Sequence, residues 1–232
     1  MITERQETLL DTIINEHIKT AEPVGSDFLV ERYKLEVSSA TVRNEMLELD
    51  KKGYLEKTHT SSGRVPTERA YEFYVENVEK PVTLPKNIQV KLENSMHIEH
   101  ETVRDRIKEL AKAMAHESEE FVLVAFQEND FYYTGLSNLF GKPEFSNYKT
   151  IWSLSSMIDH LDASLSRLYR KELGNETGIF IGKDNPIDKQ LSLITAKLNQ
   201  QGPLIALLGP MRMKYKTNIG LLEYSKKLLT AQ

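Results

Sequence analysis

Four polar side chains lie close together in one short segment, and their chemical types are those that bind nucleic acid. Ser39, Thr41, Arg43 and Asn44 stand at the start of a predicted helix over residues 39–52. Hydroxyl, amide and guanidinium groups form hydrogen bonds with base edges and phosphates. The segment is therefore predicted to read DNA sequence. For an isolated helix, the alternative that Arg43 and Asn44 are only solvated surface residues stays open.

A second polar stretch, HTSSGRVPT, begins at His59 and follows that helix closely. Ser61, Ser62 and Gly63 would let the backbone approach phosphates, because small residues leave the chain accessible. Arg64 is predicted to reach a phosphate or a narrow minor groove, although an arginine on a loop tip is more often a solvated charge. His59 fits a phosphate contact and an ordinary surface position equally well.

Covalent and metal chemistry find no support in the residue pattern. The chain has no cysteine, and no Ser–His–Asp or paired-carboxylate constellation stands out. His97 and His100 share a helix face, but the i, i+4 spacing and the third ligand of a zinc site are missing. We therefore expect no catalytic residues, no metal site and no cofactor.

Composition is that of an ordinary globular protein. The chain has 232 residues, 40% hydrophobic and 28% charged, enough for one large domain or two small ones. No apolar run approaches the roughly 20 residues needed to cross a bilayer. The charged start, MITERQETLL, has no signal-peptide core. A cytoplasmic protein without a membrane partner is expected.

Charge is distributed unevenly. The whole chain carries −4, and residues 1–78 carry ten Lys and Arg against fifteen Asp and Glu. That balance argues against a protein that binds nucleic acid by bulk charge. Between residues 51 and 69 the balance reverses, with five cations against two acids. A locally basic face on an acidic domain can still bind phosphates.

Residues 1–80 are predicted to form three helices and a two-stranded ribbon. Thr3 and Gln6 form a capping-box pattern, and Ser26 is the expected N-cap of the second helix, whose free amides could hold a phosphate. The third helix has a core stripe of Val42, Met46 and Leu49 and ends before Gly53. Residues 54–58 and the stretch from Val65 alternate as strands do. This order predicts a winged helix-turn-helix domain, with the third helix in the major groove.

The remainder is predicted to be a linker followed by an α+β domain. Residues 81–117 contain a two-proline hinge and one long helix, 86–117, whose heptad-like seam predicts a partner helix in this chain or in a second one. Residues 118–232 mix strands and helices in an order that predicts one sheet covered on a single face. Within them, a helix over 148–173 is expected to turn its apolar residues inward. These are Trp152, Met157, Leu161, Leu165 and Leu168.

Several stretches closely resemble the HrcA family of bacterial heat-inducible transcription repressors. In the first domain these are ITERQ, KTAEPVGS, SSATVRNEMLELDKKGYLEKTHTSSGRVPT and ERAYEFYV. In the second they are FYYTGLSNLFGKPEF, IGKDNP and LLGPMRMKYKTNIGLLEY. The resemblance implies a winged-helix domain joined to a GAF-like domain with an inserted dimerising region. It also implies a homodimer that binds an inverted repeat in double-stranded DNA upstream of chaperone operons, is kept active by a GroEL-type chaperonin and is released on heat stress.

The chain departs from that family pattern in its middle. Where family members carry a much longer segment, only AHESEEFVLVAFQEND stands. A dimer would then form through the sheet face of the GAF-like domain or through the 86–117 helix. The rival interpretations are a regulator whose GAF-like domain binds a small molecule, and an enzyme built on the α+β domain. A stabilising small molecule would favour the first, and the lack of a catalytic cluster argues against the second.

Overall fold

The computed structural model describes residues 2–58, 63–78, 81–97, 102–171, 177–198 and 202–230. Its contacts divide the chain into two compact units, Met1–Val78 and Glu79–Gln232. Each unit mixes helices with an antiparallel sheet, so the predicted α+β class is confirmed. Among the described residues, no helix combines the length and apolar character that crossing a bilayer requires.

The first unit contains four helices and a short ribbon. The elements are α1 (Glu4–Thr20), α2 (Ser26–Tyr33), α3 (Ser39–Lys51), β1 (Leu55–Lys57), β2 (Arg64–Pro66) and α4 (Glu68–Glu76). The predicted capping box is confirmed, because Thr3 accepts from the Gln6 amide while the Gln6 side chain accepts from Thr3. Gly53 follows α3 with φ of +77°, a conformation that glycine adopts at little cost. The strands β1 and β2 pair in antiparallel register and are called the ribbon below.

The core of the first unit forms where α1 meets α3 and α4. Val42, Met46 and Leu49 are buried, as their 3–4 spacing predicts. From α4, Tyr71 is also buried, and its hydroxyl lies 2.7 Å from Nδ1 of His17 on α1. The aromatic face of α4 therefore packs on α1.

The second unit contains six helices and five strands in its described part. The elements are α5 (Lys86–His97), α6 (Val103–Ser118), β3 (Phe121–Gln127), β4 (Asp130–Thr134), α7 (Leu136–Phe140), α8 (Tyr148–Asp159), α9 (Leu161–Arg170), β5 (Gly178–Ile181), β6 (Leu191–Lys197), β7 (Leu204–Pro210) and α10 (Tyr215–Thr230). Two single 3₁₀ turns, Pro143–Phe145 and Gly182–Asp184, complete them.

The prediction of one long helix over residues 86–117 is wrong. A new helix starts at Val103, because Thr102 is extended and its side chain accepts from the Asp105 amide as an N-cap. The two helices form an antiparallel hairpin, in which Lys91 Nζ on α5 lies 2.8 Å from Glu117 Oε1 near the end of α6. The partner helix that the apolar seam predicts is therefore in the same chain.

The five strands form one antiparallel sheet in the order β4-β3-β7-β6-β5. Residues 121–125 of β3 are all buried, although successive side chains point to opposite faces. On one face Phe121 and Leu123 share a core with α8 and α9. On the other, α6 packs against β3, where Val122 and Val124 are buried, and α10 packs against the neighbouring strands β7 and β6. The sheet is thus covered on both faces, and the prediction of a single covered face is wrong.

The predicted helix over 148–173 is divided at His160 into α8 and α9. Met157, Leu161, Leu165 and Leu168 turn inward as predicted. Trp152 does not turn inward, since it is 67% exposed. At about 100° per residue, Leu154 and Met157 lie on the far side of α8 from Trp152.

Candidate nucleic-acid interface

One face of α3 is free of the core and points outward. Ser38 caps the helix by accepting from the Thr41 amide at 3.1 Å, which fixes where α3 begins. Because Val42, Met46 and Leu49 are buried, the opposite face is exposed. It carries Ala40, Arg43, Asn44, Leu47, Glu48 and Lys51.

The four predicted readers separate into two pairs. Arg43 and Asn44 lie on the exposed face of α3. Ser39 and Thr41 are half-buried in the first turn, and the Thr41 hydroxyl lies 2.9 Å from Ser38 Oγ. A side chain engaged in the cap has less freedom to reach a base, so Arg43 and Asn44 are the better placed pair.

A groove of about 400 Å³ opens between the start of α2, the exposed face of α3 and the ribbon. It is called the ribbon groove here. Its lining includes Ser26, Asp27, Phe28, Arg43, Leu47, Lys57 and Arg64. Three of these residues are cations and only one is an acid, whereas acids outnumber cations in the first unit as a whole. A groove with this charge can accept a phosphate backbone.

Arg43 connects α3 to the first turn of α2. Its Nη2 lies 3.5 Å from Ser26 Oγ and 3.6 Å from Asp27 Oδ2. Both side chains of the ion pair between Arg43 and Asp27 are well exposed, and such pairs contribute little to the stability of the fold. Arg43 can therefore exchange Asp27 for a base or a phosphate at small cost. Ser26 is buried and is the first residue of α2; its predicted place as N-cap is wrong, since Gly25 occupies it.

Arg64 is held within the protein. Its side chain is 13% exposed, and its Nε donates to Asp50 Oδ2 at 2.8 Å. Its backbone exchanges two hydrogen bonds with Val24, both 2.9 Å long. These contacts join the ribbon to the end of α3 and to the segment before α2.

Gly63 is buried against Pro23. A Cβ at this position would stand 2.9 Å from both the carbonyl carbon and Cβ of Pro23, closer than real contacts allow. The glycine in SSGR is therefore required by packing at the base of the ribbon. The predicted contacts of His59, Ser61 and Ser62 lie outside the described residues and stay predictions.

Lys57 is a groove residue that sequence reasoning counted in the basic stretch 51–69 but did not assign to the site. It stands directly opposite Arg64 in the ribbon. Like charges in this position repel, and Asp50 offsets the repulsion by pairing with Arg64. Exposed Lys57 is left pointing into the groove. The antiparallel register of a short hairpin was the signal that could have found it.

Glu48 and Lys51 form an exposed ion pair on the outer face of α3, with Lys51 Nζ 2.7 Å from Glu48 Oε1. The hydrogen bond from Lys51 holds the pKa of the Glu48 carboxyl below its usual range. Lys51 thus compensates the negative charge on the helix face that carries Arg43 and Asn44. Elsewhere in the described residues, no group of three or more His, Asp or Glu is placed to hold a metal ion.

Comparison with known proteins identifies the family. The family model described as the HrcA protein C terminal domain matches residues 36–219. The heat-inducible transcription repressor HrcA of Oceanobacillus iheyensis is 29% identical, with 96% of this chain and 95% of that protein covered. The repressor of the same name from Desulforudis audaxviator is 26% identical, with 99% and 97% covered.

The two alignments extend over 326 and 335 positions, whereas this chain has 232 residues. These relatives therefore carry a long stretch that has no counterpart here. A crystal structure of a hypothetical protein has a TM-score of 0.79 at 17% identity, covering 100% of this chain and 98% of the other, and so shares its fold. With most of its length matched by the family model, the chain belongs to the HrcA family of heat-inducible transcription repressors.

Proposed function

We propose that this chain represses chaperone genes by binding an inverted repeat in double-stranded DNA as a homodimer. The first unit acts as a winged helix, in which α3 enters the major groove and the ribbon lies along the backbone. The observation that carries the proposal is the ribbon groove. It brings Arg43 and Lys57 to the same side of the unit as the exposed face of α3.

The exposure of each residue decides which role in DNA binding it is assigned. Arg43 and Asn44 are the base readers, because they are the predicted readers on the exposed face of α3. Lys57 and the free amides at the start of α2 hold phosphate. Ser39 and Thr41 contribute from the first turn, and His59, Ser61 and Ser62 from the ribbon tip. Gly63 and Arg64 are assigned to holding the ribbon in place, because their contacts are internal.

Residues 1–80 are assigned as the DNA-binding domain, and the rest of the chain has regulatory roles. Residues 81–117 are a hinge and helical linker, and residues 118–232 are a GAF-like domain with a part in dimerisation. A GroEL-type chaperonin is the proposed protein partner, and heat relieves repression as the folded repressor is lost. The protein works in the cytoplasm by binding alone, without catalysis.

The experiment is fluorescence anisotropy with a labelled inverted repeat from a chaperone operon and a scrambled duplex of equal length and composition. We expect a preference of about a thousandfold or more for the inverted repeat, as specific regulators show. Two salt concentrations separate the phosphate contribution from base reading, because only the former is lost steeply with salt. Equal affinity for the two duplexes at both salts would contradict the proposal.

A further inference from the structure

One face of α8 exposes three large hydrophobic side chains. Tyr148 is 78% exposed, Trp152 67% and Ile151 39%. Ser155 and Asp159 continue the same face at helical spacing, and both are exposed. These five residues are called the α8 face. Leu154 and Met157 on the opposite side pack into the core of the second unit, so the orientation of the helix is fixed.

The α8 face has the composition of a protein–protein contact. The Tyr148 and Trp152 rings lie beside each other, with centroids 6.5 Å apart. Trp152 is the only tryptophan of the chain. Tyrosine and tryptophan are enriched in the cores of interfaces and dominate their energetics. Without a partner, this aromatic pair and Ile151 would remain exposed to water, which is unfavourable for apolar surface.

The geometry points to a second copy of this chain as the partner, with the two α8 helices packed antiparallel across a two-fold axis. Such an isologous contact needs a surface that is complementary to itself. It goes beyond the proposed function, which requires a dimer without saying which surface forms it, and it rests on that function in this one respect. It also fits a chain that lacks a long stretch of its relatives.

Charge complementarity supports the antiparallel orientation. Lys149 lies in the first turn of α8 and Asp159 in the last, and both are exposed. Each is unfavourably placed in its own helix, because a helix N-terminus favours anions and a C-terminus favours cations. The two residues are about 15 Å apart along the axis. In an antiparallel pair the partner's Asp159 stands near the N-terminus of α8 and the partner's Lys149 near its C-terminus. Each charge then lies near the helix end that favours it, and the two-fold axis repeats this pairing in both copies.

The sizes of the facing side chains support the same arrangement. A two-fold axis that places Lys149 level with the partner's Asp159 passes at the level of residue 154. Trp152 then lies level with the partner's Ser156, whose side chain is small and exposed. Large side chains opposite small ones let two helices approach closely.

The first test measures the dimerisation constant of the full-length protein by sedimentation equilibrium, with Trp152 fluorescence as a local probe. We expect the emission maximum to shift to longer wavelength as dilution exposes the indole. Trp152→Glu should weaken dimerisation by about tenfold or more. Val103→Glu is the matched control, because Val103 is 58% exposed at the start of α6 and lies outside the α8 face. That control should leave the constant unchanged.

The second test exchanges charges. Lys149→Glu and Asp159→Lys should each weaken the dimer by placing like charges together, whereas the double variant should restore it. Each single change suits the macrodipole of α8, so helix content and unfolding should be preserved or improved. Weaker dimerisation therefore cannot come from misfolding.

A wild-type monomer at all concentrations, a Trp152→Glu dimer as strong as wild type, or a double variant that stays weak would each overturn this inference. Its failure is distinguishable from failure of the proposed function. If the surface is wrong, wild type can still prefer the inverted repeat over the scrambled duplex. If wild type dimerises through the α8 face and shows no such preference, the proposed function fails and the surface stands.

Discussion

Arg64 Nε donates to Asp50 Oδ2 at 2.8 Å, and this pair joins the ribbon to the last turn of α3. Asp50 is about one-third exposed and Arg64 much less. The charge of Arg64 is therefore already compensated inside the first unit. What the pair provides is a fixed position of the ribbon relative to the exposed face of α3, which a groove of defined width requires.

Arg64→Ala and Asp50→Ala are expected to have similar effects, because each removes the same contact. Each should lower the free energy of unfolding of the first unit by about 1 kcal/mol, discounted for partial exposure. Urea unfolding followed by circular dichroism measures this. The salt slope of DNA binding should stay unchanged, and the control Arg32→Ala, an exposed cation of α2 outside the groove, should alter neither quantity. A slope reduced by about one in Arg64→Ala would instead show that Arg64 contacts phosphate.

Local patterns in the sequence predict much of the first unit. The capping box at Thr3 and the buried stripe of Val42, Met46 and Leu49 depend only on residues within one or two turns. The Arg64–Asp50 pair depends on how the ribbon folds back onto α3. Sequence shows that a cation is present but not which acid it meets, so the pairing of Arg64 with Asp50 could not be predicted from it. The salt slope of DNA binding decides whether Arg64 also contacts phosphate.

Trp152 and the central sheet show two reasons why a sequence prediction can be wrong. The prediction that Trp152 turns inward is wrong, because its angular position on α8 opposes that of the buried Leu154 and Met157. The sheet was predicted to be covered on one face, yet the unbroken apolar run of β3 is typical of strands buried on both faces. In both cases the sequence carries the signal, in the helical angle of Trp152 and in the unbroken apolar run of β3.

Arg43→Ala should weaken binding to the inverted repeat by about 1–3 kcal/mol and reduce discrimination against single base changes under Arg43, as expected for a base reader. Lys57→Ala is the matched comparison. As a phosphate ligand it should weaken binding to all duplexes alike and lower the salt slope by about one. Competition anisotropy with single-substituted duplexes measures both. If Arg43→Ala weakens binding to all duplexes equally, Arg43 is not a base reader.

Glu120, which directly precedes β3, is a buried carboxyl in the second unit. Its side chain is 2% exposed, and burial raises its pKa to about 7 although Lys142, Arg212 and Lys214 oppose the shift. Lys142 Nζ lies 3.3 Å from Oε2. Gly209 leaves the space for this carboxyl, because a Cβ there would stand 2.2 Å from Oε2.

The second unit should therefore become less stable as pH rises between about 4.5 and 7. In this window the unfolded chain releases the proton of Glu120 while the folded protein retains it, so ionisation favours unfolding. The loss should approach about 3 kcal/mol above pH 7. Glu120→Gln cannot ionise and should lack this contribution, which makes the difference between wild type and variant a function of pH that cancels all other titrating groups. Urea unfolding at pH 5, 6, 7 and 8 measures it. A difference that stays constant over this range would show that Glu120 ionises normally in the folded protein, with Lys142 compensating its burial.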